Sequence, residues 1–221
     1  METKSDAQIN QDVFDELVWD PAIHVVDLNI ATSDGRVTLT GRVHNFGTKE
    51  EATEAAYRVS GVRYVDNELE VTPSEPDIRS DSEIADSINN ALLLDTQVPY
   101  QRIKVEVTKG HVTLMGSVDW AYERQSAVND VLKITGVRSI DNQITLTPPH
   151  ASAEEIQRGI ARALARNAEL ADDKIMTEVE GGHVTLYGHV AFRSEYTMAE
   201  ETAWKSPGVT SVTNNIQVDN P

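Results

Sequence analysis

Six histidines and 36 acidic residues are the side chains of this chain that could bind a metal or transfer a proton. His111 and His183 each follow a glycine at the same point of a repeated motif, where the first third of the chain has Arg36. No pair of histidines has the H-E-x-x-H spacing of a zinc site, and the chain has no cysteine to supply thiolates. The pattern therefore predicts polar residues at the start of strands and no metal centre.

The carboxylates form no pattern typical of acid–base catalysis. Neighbouring acids such as Glu50 and Glu51 are typical of solvated helix surfaces. A denser group leaves open a weak association with K⁺ or a divalent cation; its members are Asp12, Asp15, Glu16 and Asp20. Glycine-containing segments such as "SDGR" precede a strand instead of a helix, which excludes a phosphate-binding P-loop. The sequence thus predicts no enzyme and no cofactor.

Composition places the chain among globular proteins, with 39% hydrophobic and 25% charged residues in a length of 221. The net charge of −17 repels phosphate backbones, and each third of the chain is acidic, so nucleic-acid binding is not expected. No apolar run approaches the roughly 20 residues of a membrane-spanning helix. The first ten residues, "METKSDAQIN", lack the pattern of a secretory signal, which predicts a cytoplasmic location, or a periplasmic one if a leader was removed.

The sequence repeats one unit three times. The heptads "GRVTLTG", "GHVTLMG" and "GHVTLYG" begin at residues 35, 110 and 182, and the spacing of 75 and 72 residues recurs throughout each unit. We predict domains at 1–74, 75–147 and 148–221. The predicted structural positions are the second heptad glycine, a glycine after the second helix and an asparagine in the last strand: Gly41, Gly116 and Gly188; Gly61, Gly136 and Gly208; Asn67, Asn142 and Asn214.

Each unit begins with a serine and a Gln or Glu three residues later, which is a helix capping box. Apolar residues four apart predict the first helix, and two segments of alternating polarity around a glycine turn predict a hairpin. A second helix with small buried residues and a final strand complete the unit. The fold class is α+β: three tandem α-β-β-α-β repeats, each with a three-stranded mixed sheet and two helices on one face.

The second heptad glycine falls on the inward side of its strand, with the valine and leucine of the motif. Without a side chain, it allows either the close approach of a helix or a β-bulge. At Gly116 we expect a closely packed helix, so that a larger residue there would overpack the space between strand and helix and destabilise the protein.

The element order, the strand motif G-x-V-x-L-x-G and the ending "GV-x-x-(V/I)-x-N" resemble the BON domain, named for bacterial OsmY and nodulation proteins. The resemblance covers nearly the whole chain. It implies osmotic-stress protection, binding at phospholipid interfaces or maintenance of the cell envelope. Because the sequence shows neither the signal-peptide pattern nor the lipoprotein cysteine of envelope relatives, we do not expect a periplasmic role. The leading interpretation is a non-catalytic binding or scaffold protein linked to osmotic or general stress protection. The alternative is a protein that binds a phospholipid interface or small ions.

The face of each sheet that carries no helices is the candidate interaction surface. Its amphipathic members suit a partly covered surface; with two neighbouring residues the candidates are Met115, Trp120, Met176, Tyr187 and His189. We expect these faces to pack against sister domains, which would bury Met115, Met176 and Tyr187. The partners left open are an external protein and phospholipid headgroups.

Overall fold

The computed structural model describes residues 4–168, 170 and 175–219. Domain 1 contains one helix before a hairpin and a second helix before the last strand: α1 (Asp6–Trp19), β1 (Val26–Ser33), β2 (Arg36–Val43), α2 (Phe46–Arg58) and β3 (Tyr64–Val71). Domain 2 repeats this order with α3 (Asp81–Leu94), β4 (Ile103–Thr108), β5 (His111–Val118), α4 (Ala121–Leu132) and β6 (Ser139–Leu146). Domain 3 contains α5 (Ala153–Arg166), β7 (Met176–Glu180), β8 (His183–Val190), α6 (Arg193–Trp204) and β9 (Ser211–Val218).

The first helix of each domain starts where the sequence predicts. In domain 1 the Ser5 Oγ accepts a hydrogen bond from the Gln8 amide at 3.4 Å, and the Gln8 side chain accepts one from the Ser5 amide at 2.8 Å. Ser152 and Glu155 form the same reciprocal pair at the start of α5. These bonds satisfy amides that have no partner inside the helix.

Each domain contains one three-stranded sheet, in the orders β1-β2-β3, β4-β5-β6 and β7-β8-β9. In domains 1 and 3 the hairpin strands pair antiparallel and the central strand pairs parallel with the last one. The parallel pairing requires a crossover, which the second helix provides. The predicted fold class of three α-β-β-α-β units with mixed sheets is confirmed.

In domains 1 and 3 the core lies between the sheet and its helices. In domain 1 the helix residues Ile9, Val13 and Leu17 pack in one cluster with the strand residues Val37 and Leu39. The second helix contributes alanines that have no exposed surface, so it can lie close to the sheet: Ala52, Ala55 and Ala56. Domain 3 has an equivalent cluster, and in domain 2 the positions equivalent to Ile9, Val13, Leu17, Val37 and Leu39 are buried.

The second heptad glycine has a positive φ in every domain, at 139° for Gly41, 132° for Gly116 and 147° for Gly188. A methyl group on Gly41 would lie 2.8 Å from the Val26 carbonyl oxygen, beside a β-bulge in β1. On Gly116 it would lie 2.0 Å from the carbonyl oxygen of Arg102. The expectation that a packed α-helix approaches Gly116 is wrong, because the nearest group is the backbone of Arg102, which ends a short 3-10 turn (Tyr100–Arg102) just before β4.

The asparagines that recur at the same position of each repeat have a structural role in domains 1 and 3. The Asn67 side-chain amide donates to the Lys49 carbonyl oxygen at 2.6 Å and to the Thr53 Oγ1 at 2.7 Å, while its oxygen accepts from the Leu69 amide. Asn214 forms the corresponding bonds to α6 and to its own strand. One side chain thus ties the last strand to the second helix.

The chain divides into two compact units. One comprises Met1–Leu94, Val105–Leu114 and Val128–Asn142, and the other comprises Asp95–Lys104, Met115–Ala127 and Gln143–Pro221.

Candidate interaction surface

The open face of the domain 3 sheet carries two adjoining amphipathic side chains. Strand register places Met176 of β7 opposite Tyr187 of β8, and Asn215 of β9 lies on the other side of Tyr187. Met176 is 65% exposed and Tyr187 is half-buried. Side chains directly opposite each other on one face of an antiparallel pair lie close together. We call Met176 and Tyr187 the domain 3 patch.

The same two repeat positions are polar in domain 1. Asn29 is paired with Thr40 there, and their side chains form a hydrogen bond at 3.4 Å. In domain 2 the positions hold Lys104 and Met115, of which Met115 is half-buried. Apolar character on the open face therefore increases from the first domain to the third, although the backbone beneath it is the same.

Two arginines on the open face of domain 1 are paired with aspartates. Arg36 forms an ion pair with Asp66 at 2.6 Å, and its guanidinium lies 4.3 Å from the centre of the Tyr64 ring. Arg42 forms an ion pair with Asp27 of the adjacent strand. Two cations of this face are thus neutralised by neighbouring carboxylates.

The histidines of the heptads bond to the last strand of their own sheet. His183 Nδ1 lies 2.7 Å from the Ser211 hydroxyl, and His111 Nδ1 lies 2.6 Å from the Ser139 hydroxyl. His189 Nδ1 lies 3.1 Å from a carboxylate oxygen of Asp219. The sequence indicated polar residues at strand entry but did not identify these partners, because parallel pairing brings together residues about 28 positions apart.

Trp120 does not lie on a strand. It precedes α4, and its amide donates to the Glu123 side chain at 3.0 Å. Its repeat equivalents are Asn45 and Phe192, the N-cap residues of α2 and α6. Trp120 therefore lies at a helix N-terminus, two residues past the end of β5, and its participation in the sheet face stays a prediction.

Met176 is exposed whereas Met115 and Tyr187 are half-buried, so the cover of the open faces by sister domains stays a prediction. Within each compact unit, second helices take part in contacts between domains. A methyl group on Gly47 of α2 would lie 3.0 Å from the Leu132 carbonyl oxygen of α4. The Arg124 guanidinium of α4 lies 4.9 Å from the ring centre of Trp204 in α6. Burial lowers the pKa of Arg124, as expected for a partly desolvated cation.

The acidic residues of α1 have partners in the protein. Asp12 pairs with Lys4 at 2.7 Å, and Glu16 pairs with Arg58 at 2.8 Å. Asp15 accepts a hydrogen bond from Gln11. Within the described part of the chain, no three acidic or histidine side chains are grouped so that they could hold a metal ion. The hypothesis of cation binding at this helix therefore gains no support.

Comparison with known families gives one match, repeated three times. The sequence model described as the BON domain matches residues 5–73, 80–148 and 152–220. Among the helices of the described residues, none combines the length and the apolar character needed to cross a membrane.

Two curated proteins share about a third of the aligned residues with this chain. Osmotically-inducible protein Y of Escherichia coli is 32% identical over 143 residues, which cover 63% of this chain and 71% of that protein. Outer membrane lipoprotein DolP of Haemophilus influenzae is 34% identical over 115 residues, which cover 51% of this chain. The match spans 59% of the length of DolP.

Solved structures show a more distant similarity. The structure of CdsD, a structural protein of the type III secretion system of Chlamydia trachomatis, has a TM-score of 0.27 and 14% identity. The alignment covers 96% of this chain and 92% of that one. A score this low does not establish a common arrangement.

Proposed function

Because this chain belongs to the BON domain family and contains its domain three times, we propose that it is a non-catalytic binding protein of the stress response. In this proposal the domain 3 patch contacts a protein partner, while the first two domains act as a scaffold. The observation that carries the proposal is the exposed Met176 beside Tyr187 on a sheet face that no helix covers. Met and Tyr side chains are enriched where proteins contact one another.

The relatives support the physiological part of the proposal. One of them is named for osmotic induction, and the other is named as an outer membrane lipoprotein. We propose osmotic stress as the condition under which this protein acts, and the cell envelope as its location. The expectation of a cytoplasmic location gains no support from these relatives.

Site-specific crosslinking tests the partner surface. A photoreactive phenylalanine analogue at Tyr187 should form a discrete crosslinked product with a protein in osmotically stressed cells. The matched control places the analogue at Thr40, which occupies the same repeat position in domain 1 on a face with few apolar groups. Equal products from both positions, or none from Tyr187, would contradict a partner on the domain 3 patch.

A second measurement tests the stress assignment separately. Transcript and protein levels should rise after salt shock, and deletion of the gene should reduce survival under the same shock. Unchanged levels and unchanged survival would remove the stress role, but they would leave the crosslinking result intact.

The second candidate function is contact with a phospholipid surface, and exposed residues at the ends of two helices favour it. At the end of α1, Val18 is 64% and Trp19 is 85% exposed, and at the same repeat positions of α3, Leu93 is 51% and Leu94 is 79% exposed. Tryptophan is enriched at the interface between membrane and water. A net charge of −17 makes attraction to anionic lipids by charge alone unfavourable, so apolar contact would have to provide the binding.

Vesicle flotation separates this candidate from the first. Contact through helix ends predicts that the protein floats with zwitterionic vesicles and that replacement of Trp19 and Leu94 by serine abolishes flotation. Replacement of Met176 by serine is the matched control and should leave flotation unchanged. Absence of the wild-type protein from the floated fraction would exclude this second candidate.

A further inference from the structure

Domain 2 has a surface cavity of about 330 Å³ beside the start of α3. Its wall combines the segment before α3, the β4–β5 turn and the turn after α4, and its residues are Pro73, Ile78, Arg79, Asp81, Lys109, Gly110, Gly136 and Arg138. All of them belong to one compact unit. The volume is at the lower end of the range for small-molecule sites, roughly 300 to 1,000 Å³.

Three cationic side chains and one carboxylate line the cavity. Arg79, Lys109 and Arg138 are all exposed, and in the described part of the chain neither Lys109 nor Arg138 forms an ion pair. Two glycines allow the arginine stems to lie against the backbone. A methyl group on Gly110 would be 3.1 Å from Arg138 Cγ, and one on Gly136 would be 3.2 Å from Arg79 Cβ.

The carboxylate of Asp81 is already occupied by backbone donors. Its two oxygens accept from the amides of Lys109 at 2.8 Å and Gly110 at 2.9 Å. These bonds hold the pKa of Asp81 below its ordinary value, so the group stays charged and fixed on the turn. Asp77 and Glu83 lie outside the lining; Asp77 accepts from Ser74, and Glu83 accepts from the amide and hydroxyl of Ser80 and interacts electrostatically with Arg79. Among the lining residues themselves, three cations outnumber the one carboxylate.

The other two domains have the same backbone but lack this charge. In domain 1, Asp6 accepts from the amides of Asp34 and Gly35 just as Asp81 does from its turn. However, Asp34 replaces Lys109, and Lys4, the equivalent of Arg79, is paired with Asp12 at 2.7 Å. In domain 3 the positions of the three cations hold Ala151, Gly181 and Thr210. A feature of one repeat only is not required for the fold.

We propose that this cavity of domain 2 binds a phosphate group, through Arg79, Lys109 and Arg138. Guanidinium groups donate paired hydrogen bonds to phosphate oxygens, and a lysine adds a point charge. The three cations reach the cavity from three different chain segments, so the site forms only in the folded domain. Its position on the surface suits a group carried by a soluble phosphate ester or by a lipid head.

Titration of the full chain with inorganic phosphate, followed by amide NMR, tests the site. Chloride at matched ionic strength is the blank, because screening alone shifts signals of exposed charged groups. The amides of Lys109, Gly110 and Arg138 should shift and saturate. Gly35 occupies the position of Gly110 in domain 1, and its amide signal is the internal control that should not shift with phosphate.

Lys109→Asp is the decisive variant. It introduces the residue of domain 1, and the backbone conformation suits both residues, since φ is 54° at Lys109 and 50° at Asp34. Reversal of one charge within a few ångströms of the phosphate should weaken binding by about tenfold or more. Arg63→Gln, at the position of Arg138 in domain 1, is the matched control and should change the affinity less than about twofold.

A second arm identifies the source of the phosphate. Phosphatidylcholine vesicles with and without phosphatidylglycerol are added to the wild-type chain and to the Lys109→Asp variant. Binding that requires phosphatidylglycerol, is lost in the variant and is displaced by free phosphate assigns a lipid head. Phosphate shifts without vesicle binding assign a soluble ester. Equal shifts at Gly35 and Gly110, shifts that survive Lys109→Asp, or no shifts at all would overturn the proposal.

Discussion

Gly116→Ala should destabilise domain 2 by about 3 kcal/mol. The added methyl group would lie 2.0 Å from the Arg102 carbonyl oxygen, 3.1 Å from the Arg102 carbonyl carbon and 3.3 Å from the Ile103 Cα. The first distance is about 1.5 Å shorter than an ordinary contact of roughly 3.5 Å. Relief would require the start of β4 to move, because the obstacle is backbone and not the end of a flexible side chain. Overpacking of this kind costs roughly 1–3 kcal/mol, and a positive φ of 132° at a non-glycine residue costs roughly 1–3 kcal/mol more.

Gly181→Ala is the control that separates the two costs. Gly181 also has a positive φ, of 60°, but a methyl group there would meet nothing within 4 Å. Its substitution should cost only the conformational term, about 1 kcal/mol. Urea unfolding followed by circular dichroism gives the overall stability, and hydrogen exchange of the amides of β5 reports on domain 2 itself. A loss for Gly116→Ala no larger than that for Gly181→Ala would refute the close approach of β4.

Three further predictions rest on single side chains. Asn67→Ala should cost about 1–3 kcal/mol in urea unfolding, because the Lys49 carbonyl oxygen and the Leu69 amide lose their partner; a smaller loss than about 0.5 kcal/mol would show that water replaces it. Glu155→Gln keeps a capping box but removes a carboxyl whose pKa is lowered from 4.5 by hydrogen bonds from Ser152. The stabilising contribution of the Glu155 carboxylate is complete above its ordinary pKa and is lost as the pH falls through its lowered pKa. The difference in free energy of unfolding between wild type and variant should therefore vanish in acid. A difference that stays constant with pH would contradict this. Gly159 lies within α5, and an added methyl group there would meet only the Ser206 hydroxyl, at 3.4 Å. Gly159→Ala should therefore stabilise the protein by about 0.5–1 kcal/mol in the same unfolding assay. A destabilised variant would show that the contact with Ser206 is too tight.

The structure revised the role of the second heptad glycine for a physical reason. Alternation along β2 and β5 correctly places that glycine after the inward valine and leucine of its strand. Periodicity cannot say which chain segment approaches it, since that depends on a bulge in β1 and on how β4 begins. The sequence pattern is compatible with either a helix or a bulge at this glycine, and a bulge is observed in domain 1.

On the open sheet faces, too, the sequence predicts some features and the tertiary structure decides others. The residues on them were predicted from alternation alone, and the burial of Val184 and Leu186 agrees with that alternation. The position of Met176 directly opposite Tyr187 follows from the register of β7 and β8, which the turn between them sets. Exposure of Met176 depends on where neighbouring domains lie, which no local pattern encodes.

The amino-acid sequence by itself determined the three repeats, the order of their elements, the helix starts and the core positions. It does so because caps, turns and hydrophobic periodicity act over a few residues and recur at intervals of 75 and 72. Only the tertiary structure decided that Arg79, Lys109 and Arg138 line one cavity, although each is visible in the sequence as an ordinary surface cation. They lie up to 59 positions apart and meet because a helix start, a hairpin turn and the turn after a second helix are folded onto one another.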